Sequence, residues 1–239
     1  MRKGLEFMDR RSFVSKGIVA TTAFAAMGQT ANADENKAIK IIGISCSSRK
    51  GKTTSTAVNI ALDAAKAVNS RIEVQLIDIG GLNISGWKGG ATPSSPQEIM
   101  DDFQIEVEPY LMSNNLGGLI IGSPSYFRSM SSQCKALLER LYILRTPKFL
   151  LADKPVGILS VGSYRNGGQE LVIEQIKAAM LCHEVMIVGG KPKAHQGATL
   201  WNRDIYNDDI TKDEFGIDTA KKLGTRVAEA ALLFSEKTS

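Results

Sequence analysis

The stretch from Ile41 to Ser55 reads I-I-G-I-S-C-S-S-R-K-G-K-T-T-S and concentrates groups that hold a phosphate. Ser45, Ser47, Ser48, Thr53, Thr54 and Ser55 each offer a hydroxyl donor, and Arg49 and Lys52 add positive charge. An apolar β-branched run (Ile39, Ile41, Ile42, Ile44) leads in; a helical pattern through Ala57, Val58, Ala61, Leu62 and Ala65 leads out. Strand, polar turn, helix places unpaired backbone N–H groups and about half a positive charge at the turn. The same residues also serve as ordinary N-caps, so the loop alone leaves both readings open. The nucleoside triphosphate loop G-x-x-x-x-G-K-[ST] fits less well. Gly51-Lys52-Thr53 matches its end, but Cys46 stands at its first glycine position. A hydroxyl-rich turn suits a terminal phosphate monoester wrapped by side chains better than a triphosphate cradled by bare backbone.

Two further loops carry unusual chemistry. Gly122-Ser123-Pro124-Ser125-Tyr126-Phe127-Arg128-Ser129-Met130 combines a stiff turn with two adjacent aromatics, a planar apolar surface beside backbone amides. Gly162-Ser163-Tyr164-Arg165-Asn166-Gly167-Gly168-Gln169-Glu170 has two glycines that let backbone approach a flat ligand and open another helix. Each is also ordinary turn chemistry when taken singly. Together, a phosphate at one end and a flat ring between an aromatic and a glycine loop describe a flavin mononucleotide.

The elements that must position these loops alternate from residue 38 onward. Strands are expected over about 38–45, 71–78, 118–122, 155–161 and 184–188, and helices over 53–68, 96–114, 129–145, 168–182 and 213–235. Ser94 and Ser95 stand as caps of the second helix, and Gly80 to Pro96 reads as a loop with Trp87 at its middle. Short uninterrupted apolar strands between helices argue for a parallel sheet covered on both faces. Right-handed crossovers then make it an α/β, open, doubly wound, five-stranded sheet whose ligand lies beyond the carboxyl ends of the strands. No internal repeat or second folded domain is visible.

Residues 1–33 read as an address. Asp9 to Lys16 (D-R-R-S-F-V-S-K) resembles a twin-arginine export signal, followed by an uncharged apolar stretch from Gly17 to Gly28 and the cleavage-type Ala31-Asn32-Ala33. The apolar stretch is too short for a permanent helical anchor. Export to the periplasm, or outside the cytoplasm more generally, is therefore expected, with a folded domain over 34–239. Of 29 Lys+Arg and 25 Asp+Glu residues, this segment holds five and two, leaving 24 and 23, a net of +1. No basic stripe with interleaved aromatics remains, so nucleic-acid binding is not expected. Three isolated cysteines (Cys46, Cys134, Cys182) without C-x-x-C spacing exclude a metal or iron–sulfur site built on a local cysteine cluster. Two separated histidines, His183 and His195, supply a histidine triad poorly.

G-S-P-S-Y-F-R-S-M-S-S-Q-C-K-A-L-L-E-R (122–140) and R-N-G-G-Q-E (165–170) resemble the NADPH-dependent FMN reductase-like branch of the flavodoxin-like superfamily, and above all its iron–sulfur flavoprotein group. H-Q-G-A-T-L-W-N (195–202) and G-I-D-T-A-K-K-L-G (216–224) resemble that group's C-terminal region. The resemblance implies a flavodoxin-like fold and an FMN phosphate at Ser45, Ser47, Arg49, Lys52, Thr53 and Thr54. It implies ribityl and ring contacts at Pro124, Ser125, Tyr126 and Phe127, and further ring contacts at Ser163, Arg165, Asn166 and Gly167. Arg165, or Arg128, is expected beside the N1–C2 carbonyl side of the ring. Cluster-binding members carry a compact cysteine motif after the second strand, whereas Gly80 to Asp102 has no cysteine; no cluster is expected.

The implied function is that of an exported flavoprotein oxidoreductase. It reduces a small acceptor such as a quinone, a flavin or a metal ion, with NAD(P)H or a quinol as donor. A periplasmic electron carrier, and a domain binding another phosphorylated ligand without redox activity, stay open. A small-molecule or protein redox partner and a homodimer or higher homo-oligomer are implied by the same resemblance. No acid or base stands out; Tyr126, Tyr164 and His195 are equal candidates as proton donors.

Overall fold

The computed structural model describes residues 37–87, 101–145 and 147–235; the export segment over 1–33 and the caps Ser94 and Ser95 lie outside them. Strand β1 (Ile39–Ser45) pairs in parallel with β2 (Ile72–Asp78) on one side and β3 (Leu116–Pro124) on the other. β3 pairs with β4 (Pro155–Gly162), again in parallel. The order β2-β1-β3-β4-β5 is that of the doubly wound sheet expected, with its switch point between β1 and β3. All of β4, and all of β1 except Lys40, is buried, as strands covered on both faces must be.

The last strand position departs from expectation. In place of one strand over 184–188, β5 is only Met186–Ile187, against Pro155 and Val156. A further strand, β6 (Ala198–Trp201), pairs with Leu159–Gly162 farther along the same β4 edge. The ladder is interrupted between them by Gly189-Gly190-Lys191-Pro192. Glycine and a residue without an N–H cannot sustain a strand, and Lys193 turns at φ 79. The sheet is six-stranded, with one edge position shared by two pieces.

Helices α1 (Thr53–Lys66) and α6 (Glu214–Ser235) cover one face. They approach so closely that a Cβ on Gly224 would collide with the Ala61 carbonyl. The opposite face is covered by α2 (Asp102–Glu106), α3 (Glu108–Leu111), α4 (Ser132–Arg140) and α5 (Gln169–Leu181).

The described part of the helix expected over 96–114 is thus two short ones. Asp101 and Gln104 form a capping box that starts α2, and Pro109 in the first turn of α3 breaks continuity. The helix expected over 129–145 starts later, because Ser131 caps it by accepting from the Cys134 N–H; Leu141–Arg145 continue it as a tighter 3₁₀ turn. β3 runs through Ser123 and Pro124, which the sequence places in a loop. Among the described residues no helix is long and apolar enough to cross a membrane.

Candidate cofactor site

The turn from Cys46 to Lys52 is held from both neighbouring strands. The Cys46 N–H donates to Gly122 O at 2.7 Å, and the Ser131 hydroxyl donates to Cys46 O at 2.5 Å. From the β2 side, the Asp78 carboxylate accepts from Gly51 N at 2.7 Å and Gly80 N at 3.1 Å. Gly51 takes φ 69, a left-handed value that glycine adopts without a Cβ penalty. The chain then enters α1 with Lys52 as N-cap and no side chain capping it. Thr53, Thr54 and Ser55 are buried around that open terminus. Ser45 is wholly buried and its Oγ has no hydrogen-bond partner, a state that costs about 1–3 kcal/mol unless a ligand or water satisfies it. An uncapped helix N-terminus, clustered hydroxyls and an orphaned buried Oγ fit a phosphate.

Arg49 and Lys52 flank this turn, half-exposed. Arg49 Nη1 lies 2.8 Å and 3.0 Å from the two oxygens of Asp208, and Lys52 Nζ lies 3.4 Å from the same carboxylate. Partial burial opposes charge on the Arg49 guanidinium, but Asp208 and then the Tyr126 phenol outweigh it and raise its pKa. Desolvation likewise pushes the Asp208 carboxyl up, and its hydrogen bond to Arg49 more than reverses that, holding it below the usual carboxylate range.

The loop after β3 is a tight turn: Tyr126 N donates to Ser129 O at 2.9 Å and Ser129 N to Tyr126 O at 3.0 Å. Its two central residues, Phe127 at φ 52 and Arg128 at φ 63, are both left-handed, which costs a non-glycine residue about 1–2 kcal/mol each. Phe127 projects fully into solvent from the tip, while Tyr126 stays beside Arg49. Pro124 is buried at the strand end, and the Ser125 hydroxyl donates to Gly167 O at 2.7 Å, tying this loop to the one after β4.

In that third loop Gly167 N donates to Tyr164 O at 3.1 Å, and the buried Gln169 amide donates to Tyr164 O and Leu200 O. Ser163 O accepts from Trp201 Nε1 at 2.9 Å. Arg165 is ion-paired to the buried Asp213, with its guanidinium over the rings of Trp201 and Phe215. That places the charge expected beside a flavin ring in a latch between this loop and the start of α6. Asn166 is exposed at the loop tip.

The structure therefore brings Ser45, Ser47, Thr53, Thr54, Arg49, Lys52 and Tyr126 to one place, and joins Ser125 to Gly167. Phe127 stands apart from the rest. Asp78, Asp208 and Asp213 organise the site without having been singled out in the sequence; the run of acids before α6 is the one local signal for Asp208 and Asp213, and Asp78, at the end of β2, has none. Among the described residues, no group of three or more His, Cys, Asp or Glu side chains could hold a metal ion.

The model of the NADPH-dependent FMN reductase family matches residues 39–199. An iron–sulfur flavoprotein of Methanocaldococcus jannaschii is 35% identical over 209 residues, spanning 83% of this chain and 100% of that protein. RosB, solved with bound 8-demethyl-8-formylriboflavin-5′-phosphate, superposes with a TM-score of 0.66 at 15% identity, over 84% of this chain and 82% of its own. A flavodoxin, the WrbA-like protein of Agrobacterium tumefaciens, gives 0.54 at 15% identity, over 82% of this chain and 99% of its own. The two solved structures are likenesses of fold alone, and that fold is flavodoxin-like. Sheet order, carboxyl-edge loops and an alignment reaching from β1 into β6 agree, and the chain belongs to the NADPH-dependent FMN reductase family.

Proposed function

We propose that the protein is an exported oxidoreductase that binds FMN at the three-loop edge and passes electrons through it to a small acceptor such as a quinone, a flavin or a metal ion. The observation that carries this reading is the orphaned Ser45 Oγ beneath an uncapped, hydroxyl-lined helix N-terminus, where a phosphate monoester would satisfy what the protein leaves unsatisfied. Ser45, Ser47, Thr53 and Thr54 would hold that phosphate with Arg49 and Lys52. Ser125 with Gly167, and Tyr126, would flank the ring. When bound, the flavin supplies hydride or single-electron transfer. These residues would bind and orient it, and Tyr126, beside Arg49, would help to fix that guanidinium at the phosphate end.

Export rests on the arginine pair, apolar stretch and small-residue site within residues 1–33. An exported location favours a quinol over NAD(P)H as donor, since nicotinamide cofactors are cytoplasmic. The absence of cysteine from Gly80 to Asp102 supports a flavin working without the iron–sulfur cluster that gives the archaeal relative its name. Assembly as a homodimer or higher homo-oligomer is supported by Phe127, Tyr164 and Tyr206, three aromatics left exposed. The near-neutral net charge of +1 outside residues 1–33 argues mildly against a carrier, which usually presents a charged docking face.

The test is the visible spectrum of residues 34–239 reconstituted with FMN, followed by turnover with NAD(P)H or a quinol as donor and a quinone as acceptor. Two flavin bands, no broad iron–sulfur absorption, and turnover are expected. A colourless protein that leaves FMN fluorescence unquenched would remove the reading.

A further inference from the structure

The turn between β1 and α1 is shaped from β2 as much as by its own residues. Asp78, the last residue of β2, accepts from Gly51 N at 2.7 Å through one carboxylate oxygen and from Gly80 N at 3.1 Å through the other. Ile79 N donates to Ser45 O at 3.1 Å, so the chain leaving β2 runs along the turn. The approach is close: a Cβ on Gly80 would stand 2.4 Å from Lys50 N. Gln133 of α4 fixes that chain in its place, its Nε2 donating to Ile79 O at 3.1 Å and to Leu82 O at 2.7 Å.

Gly51 needs such a partner. Glycine takes positive and negative φ about equally readily, so a turn with glycine here has two forms that differ by a rotation of the Lys50–Gly51 peptide plane. In the form observed, Gly51 stands at φ 69 and its N–H meets Asp78. Rotating that plane would turn the Lys50 carbonyl oxygen towards the Asp78 carboxylate in place of the N–H, one acceptor against another. Lys52, the N-cap of α1, follows directly. The form of Gly51 therefore fixes how the chain enters the helix whose uncapped N-terminus stands by the orphaned Ser45 Oγ.

We propose that Asp78 is a positioning residue of this turn: by accepting from Gly51 N it selects the positive-φ form, the one in which the start of α1 is set to receive a phosphate. The inference rests on the FMN reading above and adds to it a residue that lies outside the turn. Asp78 acts through the peptide plane and needs no contact with the ligand, since each of its oxygens is already engaged by a glycine N–H.

Isothermal titration of the flavin-free protein with FMN, and with riboflavin, which lacks the phosphate, tests this. The wild type is expected to bind FMN more tightly. Asp78→Ala weakens FMN on the order of tenfold and leaves riboflavin unchanged, so the gap between the two ligands narrows. A Cβ on Gly51 would meet nothing within 4 Å, so Gly51→Ala disfavours the positive φ alone and weakens FMN by a similar factor, on the order of tenfold. Because both substitutions act on one peptide plane, Asp78→Ala costs less in the Gly51→Ala background than in the wild type. Asp78→Asn keeps one acceptor oxygen and shows the same direction at smaller size; it decides the question if Asp78→Ala does not fold. An unchanged FMN affinity, equal losses for FMN and riboflavin, or tighter FMN binding once the charge is gone overturns the proposal and leaves the FMN reading intact. A wild type that binds FMN no more tightly than riboflavin overturns the phosphate reading and the proposal together.

Discussion

The Ser125 hydroxyl donates to the Gly167 carbonyl at 2.7 Å across 42 residues of chain, making the loops after β3 and β4 one structure. Through it, the aromatic turn at Tyr126 and the glycine turn at Gly167 keep a fixed separation, as the proposed ring site between them would require. Ser125→Ala removes this tie and costs about 1 kcal/mol, read as about a fivefold rise in the Kd for FMN. The urea midpoint of the flavin-free protein should fall modestly as well. An unchanged Kd would show that the two loops are positioned independently of it.

Gly168 takes φ 94, and a Cβ there would stand 2.8 Å from Arg128 Cα. Gly168→Ala combines a left-handed penalty of about 1–2 kcal/mol with a backbone collision. The expected outcome is a lower Tm and weaker FMN binding together, since the colliding partner belongs to the aromatic turn. A variant as stable as the wild type would contradict the close approach.

Asp213 is buried and accepts from Arg165, from Trp201 N at 2.7 Å and from Gly216 N at 3.1 Å, the last serving as the cap of α6. Asp213→Ala strips three donors of their acceptor and should cost about 3 kcal/mol. Arg165→Ala leaves the two backbone bonds and, at a half-exposed guanidinium, should cost about 1 kcal/mol. Urea unfolding at neutral pH gives the order. Equal losses would mean that the ion pair, and not the cap, carries the stability. Because Arg165 is held by Asp213, Arg165→Gln should also leave the flavin midpoint potential close to that of the wild type.

His183 is buried with its Nδ1 unpartnered. Burial first, and the nearby Arg145 second, lower its pKa below the ordinary 6.5. A histidine depressed in the folded state contributes stability above its unfolded pKa, and that contribution is lost as pH falls through the folded value. The urea midpoint of the wild type should therefore drop on acidification below about pH 6.5 more than that of His183→Gln. Parallel curves for the two proteins would argue that His183 charges freely in the fold.

Much of this architecture was legible in the chain. β1, β2 and β4 are rich in isoleucine and valine, and α1, α5 and α6 have long apolar periods, so local pattern and packing agree. Where the reading failed, a local breaker or a distant partner decided. Pro109 split a helix whose polar pattern looked continuous, and Asp101 with Gln104 starts its first described piece. β6 is four residues long, too short to announce a strand until the exposed edge of β4 recruits it.

By itself, then, the amino-acid order determined which elements form, that they alternate into a parallel sheet, and that hydroxyls and cations gather where β1 meets α1. Those properties depend on neighbours within a few turns of chain. Only the tertiary structure decided which charge meets which: Asp208 reaches Arg49 across 159 residues, and Asp213 takes Arg165 across 48. No propensity or period encodes such pairs. They arise when packing on the α1 and α6 face brings the segment after β6 back over the start of α1, and burial then makes each unmatched charge costly enough to require its partner.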